Sequence, residues 1–171
     1  MTTLLLSIGV QIIRFGILAG IGLYLDVFLF VQRLHASSIN LPASINPPAW
    51  QGFLANFYGA LDEEILLRLF VLTLLAWIGS RFSRTKEGRP TLAVLWIANL
   101  LAAILFGLGH LPATQAAGFP LNGLVIGLAL VLNGLVGIAT GWLYWSRGLG
   151  SAMLAHFSGH ILLHVILPVL I

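Results

Sequence analysis

The chain has no cysteine among its 171 residues, so no disulfide, thiolate nucleophile or zinc–thiolate site can form. Charge is scarce as well: 8% of residues are charged, five of them acidic, where an ordinary soluble domain carries about 25%. With 59% hydrophobic residues and a mean hydropathy of +1.03, there is too little polar surface to coat a soluble globule. These numbers describe a polytopic membrane protein, read here as one membrane-embedded domain over 1–171. The basic excess does not indicate a nucleic-acid surface. Four of the eight basic residues, Arg81, Arg84, Lys86 and Arg89, fall in one short connection, the pattern of a cytoplasmic loop. No basic region precedes the first apolar run at Leu4, which therefore reads as a retained helix rather than a cleaved leader.

What is abundant is apolar sequence in long runs, roughly 4–32, 50–79, 91–111, 121–145 and 149–170. Each reaches the ~20 residues a helix needs to cross a ~30 Å core, and none shows the alternation of barrel strands. The expected fold is all-α: a bundle of about five transmembrane helices enclosing a polar cavity. The charge bias puts 80–90 in the cytoplasm, with five loop Lys/Arg inside and Arg33 outside. The implied location is the plasma (inner) membrane of a prokaryote.

Within the second run, Asp62, Glu63, Glu64 and Arg68 lie near the midpoint, between Trp50 and Trp77 as interface anchors. Each such charge costs roughly 2.5–3.5 kcal/mol at a bilayer centre, so partners must come from elsewhere. Glu64 and Arg68 are four apart with the acid first, the favourable ion-pair order. At ~100° per residue Glu63 falls about 140° from Arg68, on a stripe with Asn56 and Ala60. Glu63 is thus expected to face away from the Glu64–Arg68 pair. In the first run, Arg14 and Asp26 are too far apart to pair and read as snorkelling residues.

The third run places Asn99, Ala103, Phe106 and His110 on one face. The fourth carries Gly123-x3-Gly127 and Gly137-x3-Gly141, spacings that let helix backbones approach, with Asn133 as an expected interhelical hydrogen bond. The fifth stacks His156, His160 and His164 at four-residue intervals, and each ring nitrogen needs a partner that lipid does not supply. Straight spans raise a difficulty of depth, since His110 ends its helix while His156 begins one.

Glu63, His110, His156 and His160 are left without local partners, spread over three helices. That set suits hydrolysis: a carboxylate shielded from bulk water is a stronger base, imidazole orients water or shares its proton, and N–H groups stabilise an oxyanion. No serine sits in a nucleophile-elbow context, which leaves water as the attacker.

Glu63-Glu64-x3-Arg68, Phe106-x3-His110, and Gly137-x3-Gly141-x2-Tyr144 running into Gly150-Ser151-x4-His156-x3-His160 resemble the CAAX protease and bacteriocin-processing family, over about residues 50–165. The resemblance implies a glutamic intramembrane protease without a cofactor. Glu63 would be general base, His110 its partner in activating water, His156 an oxyanion donor, and Glu64 with Arg68 a supporting ion pair. The family's last motif usually ends in Asn or Asp where this chain has His160, whose neutral ring also offers an N–H. Implied partners are membrane lipid and a peptide or protein substrate, lipid-modified or membrane-anchored: a prenylated peptide, a bacteriocin leader or a C-terminal sorting signal. Two other readings stand beside this one. A zinc hydrolase would use His110, His156, His160 and Glu63 or Glu64 as ligands, and a non-catalytic scaffold or proton path would use the histidine ladder.

Overall fold

A computed structural model of the chain describes residues 9–17, 20–21 and 48–166. Among these the structure is helical, apart from connections and an isolated antiparallel bridge, Arg84 to Pro90, that closes the basic loop. Residues 9–17 and 20–21 are helical, Ile12 is buried and Arg14 is exposed. Asp26, Arg33 and the remainder of the first run lie outside the described residues.

Pro48 caps the start of α1 (Ala49–Phe57), and its missing N–H costs nothing at a helix entry. The helix then continues without a break to Ser80, but changes form. Tyr58–Glu63 and Ile65–Leu72 are π-helical, and α-geometry returns in α2 (Thr73–Ser80). Thr91 accepts a hydrogen bond from the Val94 amide to open α3 (Leu92–Gly109), which stops at His110 before the short α4 (Leu111–Ala116). Asn122 caps α5 (Gly123–Arg147) in the same way. At Gly148 φ is +93°, a conformation that admits glycine and little else, and it turns the chain directly into α6 (Leu149–Ile161). A π-turn, Leu162–Ile166, ends the described chain.

By length and apolarity, three helical stretches are able to cross a membrane: Leu92–Ala116, Gly123–Arg147 and Leu149–Ile166. The protein is an all-α integral membrane protein. The run from Ala49 to Ser80 is longer than any of them, yet carries the four charges of the acidic cluster. Trp50 and Trp77 lie on its outer surface, and the Arg81 guanidinium stacks 4.4 Å from the Trp77 ring centroid.

In lipid, helices associate by close packing and hydrogen bonds rather than by excluding water. Alanines and glycines make that approach between α3 and α5. A Cβ at Gly137 would sit 3.0 Å from Ala103 Cα, and one at Gly141 would strike the Asn99 amide. Asn99 uses that proximity to donate to the Ile138 carbonyl at 2.9 Å. Gly123 and Gly127 differ from expectation, for a Cβ at either would meet nothing within 4 Å. Asn133 differs too, because its amide donates to Ala129 on its own helix. A second close approach, Gly16 against the Ala155 carbonyl and Gly20 against Gly159, fastens the N-terminal helical residues to α6.

Candidate active site

The π-helical stretches decide where the acids point. A π-turn bonds residue i to i+5, so each residue advances through a smaller angle than the ~100° of an α-helix. Glu63 and Glu64 therefore diverge less than α-periodicity requires, and both reach the bundle interior. Glu63 does not face away from the Glu64–Arg68 pair: a single imidazole, His156, lies between the two carboxylates. Its Nδ1 is 2.9 Å from Glu64 Oε1 and its Nε2 is 3.9 Å from Glu63 Oε2.

Glu64 and Arg68 are both 0% exposed. Arg68 Nε donates to Glu64 Oε2 at 3.1 Å, and Nη2 to Oε1 at 3.4 Å. The guanidinium also donates to Thr140 Oγ1 on α5, at 3.1 Å from Nε and 2.8 Å from Nη2. Thr140 in turn donates a hydrogen bond to the Val136 carbonyl. A buried ion pair depends on further hydrogen bonds to its remaining donors and acceptors. Thr140 and His156 supply them except at Arg68 Nη1, which has no hydrogen-bond partner among the described residues, and the Phe106 ring lies 5.4 Å from the guanidinium carbon.

His110 stands where α3 breaks, and its Nδ1 lies 2.9 Å from the Phe106 carbonyl. A carbonyl only accepts, so Nδ1 carries the proton and Nε2 presents a lone pair. That lone pair faces Glu63 Oε1 at 3.8 Å. On α6 the Nε2 atoms of His156 and His160 are 3.0 Å apart, and the three rings of the ladder stack edge to face, with His160 to His164 at 5.0 Å between centroids. Gly59 makes room for this. A Cβ there would lie 2.6 Å from His160 Cε1. The structure thus gathers Glu63, Glu64, Arg68, His110, His156 and His160 around one point. Asp62 is exposed and turned away from it.

The depth difficulty resolves by direct contact: His110 Nε2 and His156 Nε2 lie 3.8 and 3.9 Å from the Glu63 carboxylate, so the end of α3 and the middle of α6 reach one level. Tyr144 hydroxyl and Thr73 Oγ1, 2.8 Å apart, tie the last turn of α5 to the start of α2.

Thr140, Gly59 and the backbone carbonyl of Phe106 were not singled out by sequence reasoning. Thr140 lies inside the Gly137–Gly141 spacing, where it reads as one more small packing residue. Among the described residues no group of three His, Cys, Asp or Glu side chains is arranged to hold a metal ion. His156 spends one nitrogen on Glu64 and turns the other to His160.

The family model described as type II CAAX prenyl endopeptidase Rce1-like matches residues 45–162. The chain belongs to this family. No curated protein and no solved structure matches it significantly. The matched span runs from the residues preceding α1 to the first residue of the last π-turn, and so contains Glu63, Glu64, Arg68, His110, Thr140, His156 and His160, with His164 just beyond it. As a member of the CAAX protease family, the protein is an intramembrane peptide hydrolase, and the family acts on prenylated or membrane-anchored peptides and proteins.

Proposed function

We propose that the protein is a glutamic endopeptidase in which a water held between Glu63 and His110 attacks a peptide carbonyl in or near the membrane, without a metal. The observation that carries the reading is the 3.8 Å gap between Glu63 Oε1 and His110 Nε2, with acceptors on both sides. That distance is too long for a direct hydrogen bond and fits a bridging water oxygen. Such a water donates one hydrogen to each acceptor and turns a lone pair outward. As its oxygen bonds to the scissile carbon, one proton passes to Glu63 and the carbonyl electron pair moves onto oxygen. On collapse the C–N bond breaks, and Glu63 returns the proton to the departing amine.

The oxyanion donor comes from the facing histidines. Glu64, already bonded to Arg68, accepts the Nδ1 proton of His156. In a neutral pair the 3.0 Å gap between the two Nε2 atoms then holds one proton, resident on His160. His160 Nε2–H, shared between His156 Nε2 and the incoming oxygen, is the group offered to the developing oxyanion, and His156 positions it and offers its own Nε2–H only as imidazolium. Removing a donor of this kind costs about 10²–10³ in turnover.

A cavity of about 400 Å³ reaches this pair from the side, walled by Phe15, Leu132 and Val136 opposite His156, His160 and His164. Glu63 and His110 do not line it. We assign it to the apolar part of the substrate, with a lipid-modified or membrane-anchored peptide as the substrate class. We place the basic loop 80–90 in the cytoplasm of a prokaryote.

The test is cleavage of a prenylated fluorogenic peptide by the purified protein in lipid vesicles. Glu63→Gln and His110→Ala are expected to lose about 10²–10⁴ in turnover while keeping the wild-type melting temperature. A folded Glu63→Gln protein that cleaves at the wild-type rate overturns the reading.

A further inference from the structure

Asn56 is 0% exposed, and neither its Nδ2 nor its Oδ1 has a hydrogen-bond partner among the described residues. A buried amide left in that state is costly, and natural structures almost always satisfy one, with ordered water if not with protein. Its neighbours on the same face of the helix locate what lies opposite. Gly52, one turn before it, packs on the His164 carbonyl, and Gly59, one turn after it, packs on the His160 ring. Around Gly59 two further polar atoms are free. Among the described residues His160 Nδ1, 3.0 Å from where a Cβ would stand, makes no hydrogen bond, and Glu63 Oε2, 3.6 Å from the same point, is buried without a hydrogen-bond partner.

The proton count fixes what His160 needs. His156 Nδ1–H belongs to Glu64, so the proton between the two Nε2 atoms is on His160, and His160 Nδ1 is a bare lone pair that requires a donor. Glu63 Oε2 requires a donor as well. The unpaired amide carries two.

We propose that Asn56 is the positioning residue for His160: its Nδ2–H groups, through one buried water shared with Glu63 Oε2, donate to His160 Nδ1 and hold the ring in the Nε2–H tautomer. The polar chain then runs from Arg68 through Glu64, His156 and His160 to Asn56, so that both ends of the histidine pair are pinned. His156 draws the His160 proton to Nε2 from one side, and Asn56 holds it there from the other by occupying the Nδ1 lone pair. The claim rests on the reading of His160 as oxyanion donor, and it makes an amide more than 90 positions away in sequence set which nitrogen that donor uses.

The decisive measurement is the ¹⁵N spectrum of histidine-labelled, full-length protein in lipid nanodiscs, with His160 assigned by loss of its signals in His160→Gln. Wild type is expected to show His160 as the Nε2–H tautomer. Asn56→Leu, nearly the same shape, removes the donor and should give a mixture of tautomers with about a tenfold loss of peptide cleavage, the loss falling on kcat and leaving KM unchanged. Asn56→Ser restores a donor and should recover the wild-type tautomer and most of the cleavage rate. If Asn56 only fills space, Asn56→Leu leaves the His160 signals unchanged and raises the melting temperature, since it deletes an unsatisfied amide; that result overturns the proposal. Identical His160 spectra in Asn56→Ser and Asn56→Leu overturn it as well. Because the spectrum needs no substrate, a wild type that shows the expected tautomer but fails to cleave the peptide refutes the protease reading and not the role of Asn56.

Discussion

Glu64 and His156, 92 positions apart, meet through a buried hydrogen bond of 2.9 Å. The same carboxylate neutralises Arg68, so one side chain both balances a buried charge and fixes the tautomer of a histidine. The two adjacent glutamates should therefore fail differently. Glu64→Ala leaves Arg68 buried and unpaired, and is expected to destabilise the fold by about 3–5 kcal/mol. Thermal unfolding in detergent measures this, and Glu63→Gln should melt at the wild-type temperature in the same assay.

Gly59→Ala tests the space that admits His160. A methyl group there collides with the ring, which must swing away from His156. The expected outcome is at least a tenfold loss of peptide cleavage with little change in melting temperature. Equal activity in the alanine variant would mean that His160 need not occupy this position.

The two glycine pairs of α5 look alike in sequence and differ in what surrounds them. Gly141→Ala pushes a methyl into the Asn99 amide and should cost about 1–3 kcal/mol. Gly127→Ala meets open space and, by helix propensity, should be neutral or stabilise by up to ~1 kcal/mol. Paired melting curves decide the contrast.

These residues also mark how far the sequence alone could be read. The ion pair of Glu64 with Arg68 followed from four-residue spacing, and the candidate histidines followed from the cost of placing imidazole in lipid. The direction of Glu63 did not, because it depends on π-turns, and a count at 100° per residue presupposes that the helix stays α. Nor did the level of His156, which depends on how α5 and α6 lie along the long helix. Asn133 and Gly127 have the right composition for contacts between helices, but their faces are decided by how α3 lies along α5. Thr140 was hidden because a hydroxyl among glycines carries no sign of the guanidinium it will meet.

If no metal takes part, cleavage should survive exhaustive treatment with a chelator, and purified active protein should contain no stoichiometric zinc. Loss of activity on chelation with recovery on adding Zn²⁺ would favour the zinc hydrolase instead.

Absence of cysteine makes the orientation of the basic loop easy to measure. Lys86→Cys supplies the only thiol in the chain, on an exposed residue. In intact cells a membrane-impermeant maleimide should leave it unlabelled and should react fully after permeabilisation. Labelling of intact cells would place the loop on the outer side.

The long π-helical passage from Tyr58 to Leu72 gives the protein an unusual sensitivity to changes in chain length. Each π-turn stores one residue more than an α-turn, so removing a single residue from Ile65–Leu72 lets that stretch relax to ordinary α-geometry without breaking the helix. Hydropathy, length and membrane insertion would scarcely alter. Where the lost residue lies between Glu64 and Arg68, however, the ion pair would stand three residues apart instead of four, and Arg68 would shift against Thr140. Descendants of this chain should accordingly accept many substitutions on the lipid-facing side of that helix while tolerating almost no insertion or deletion within it.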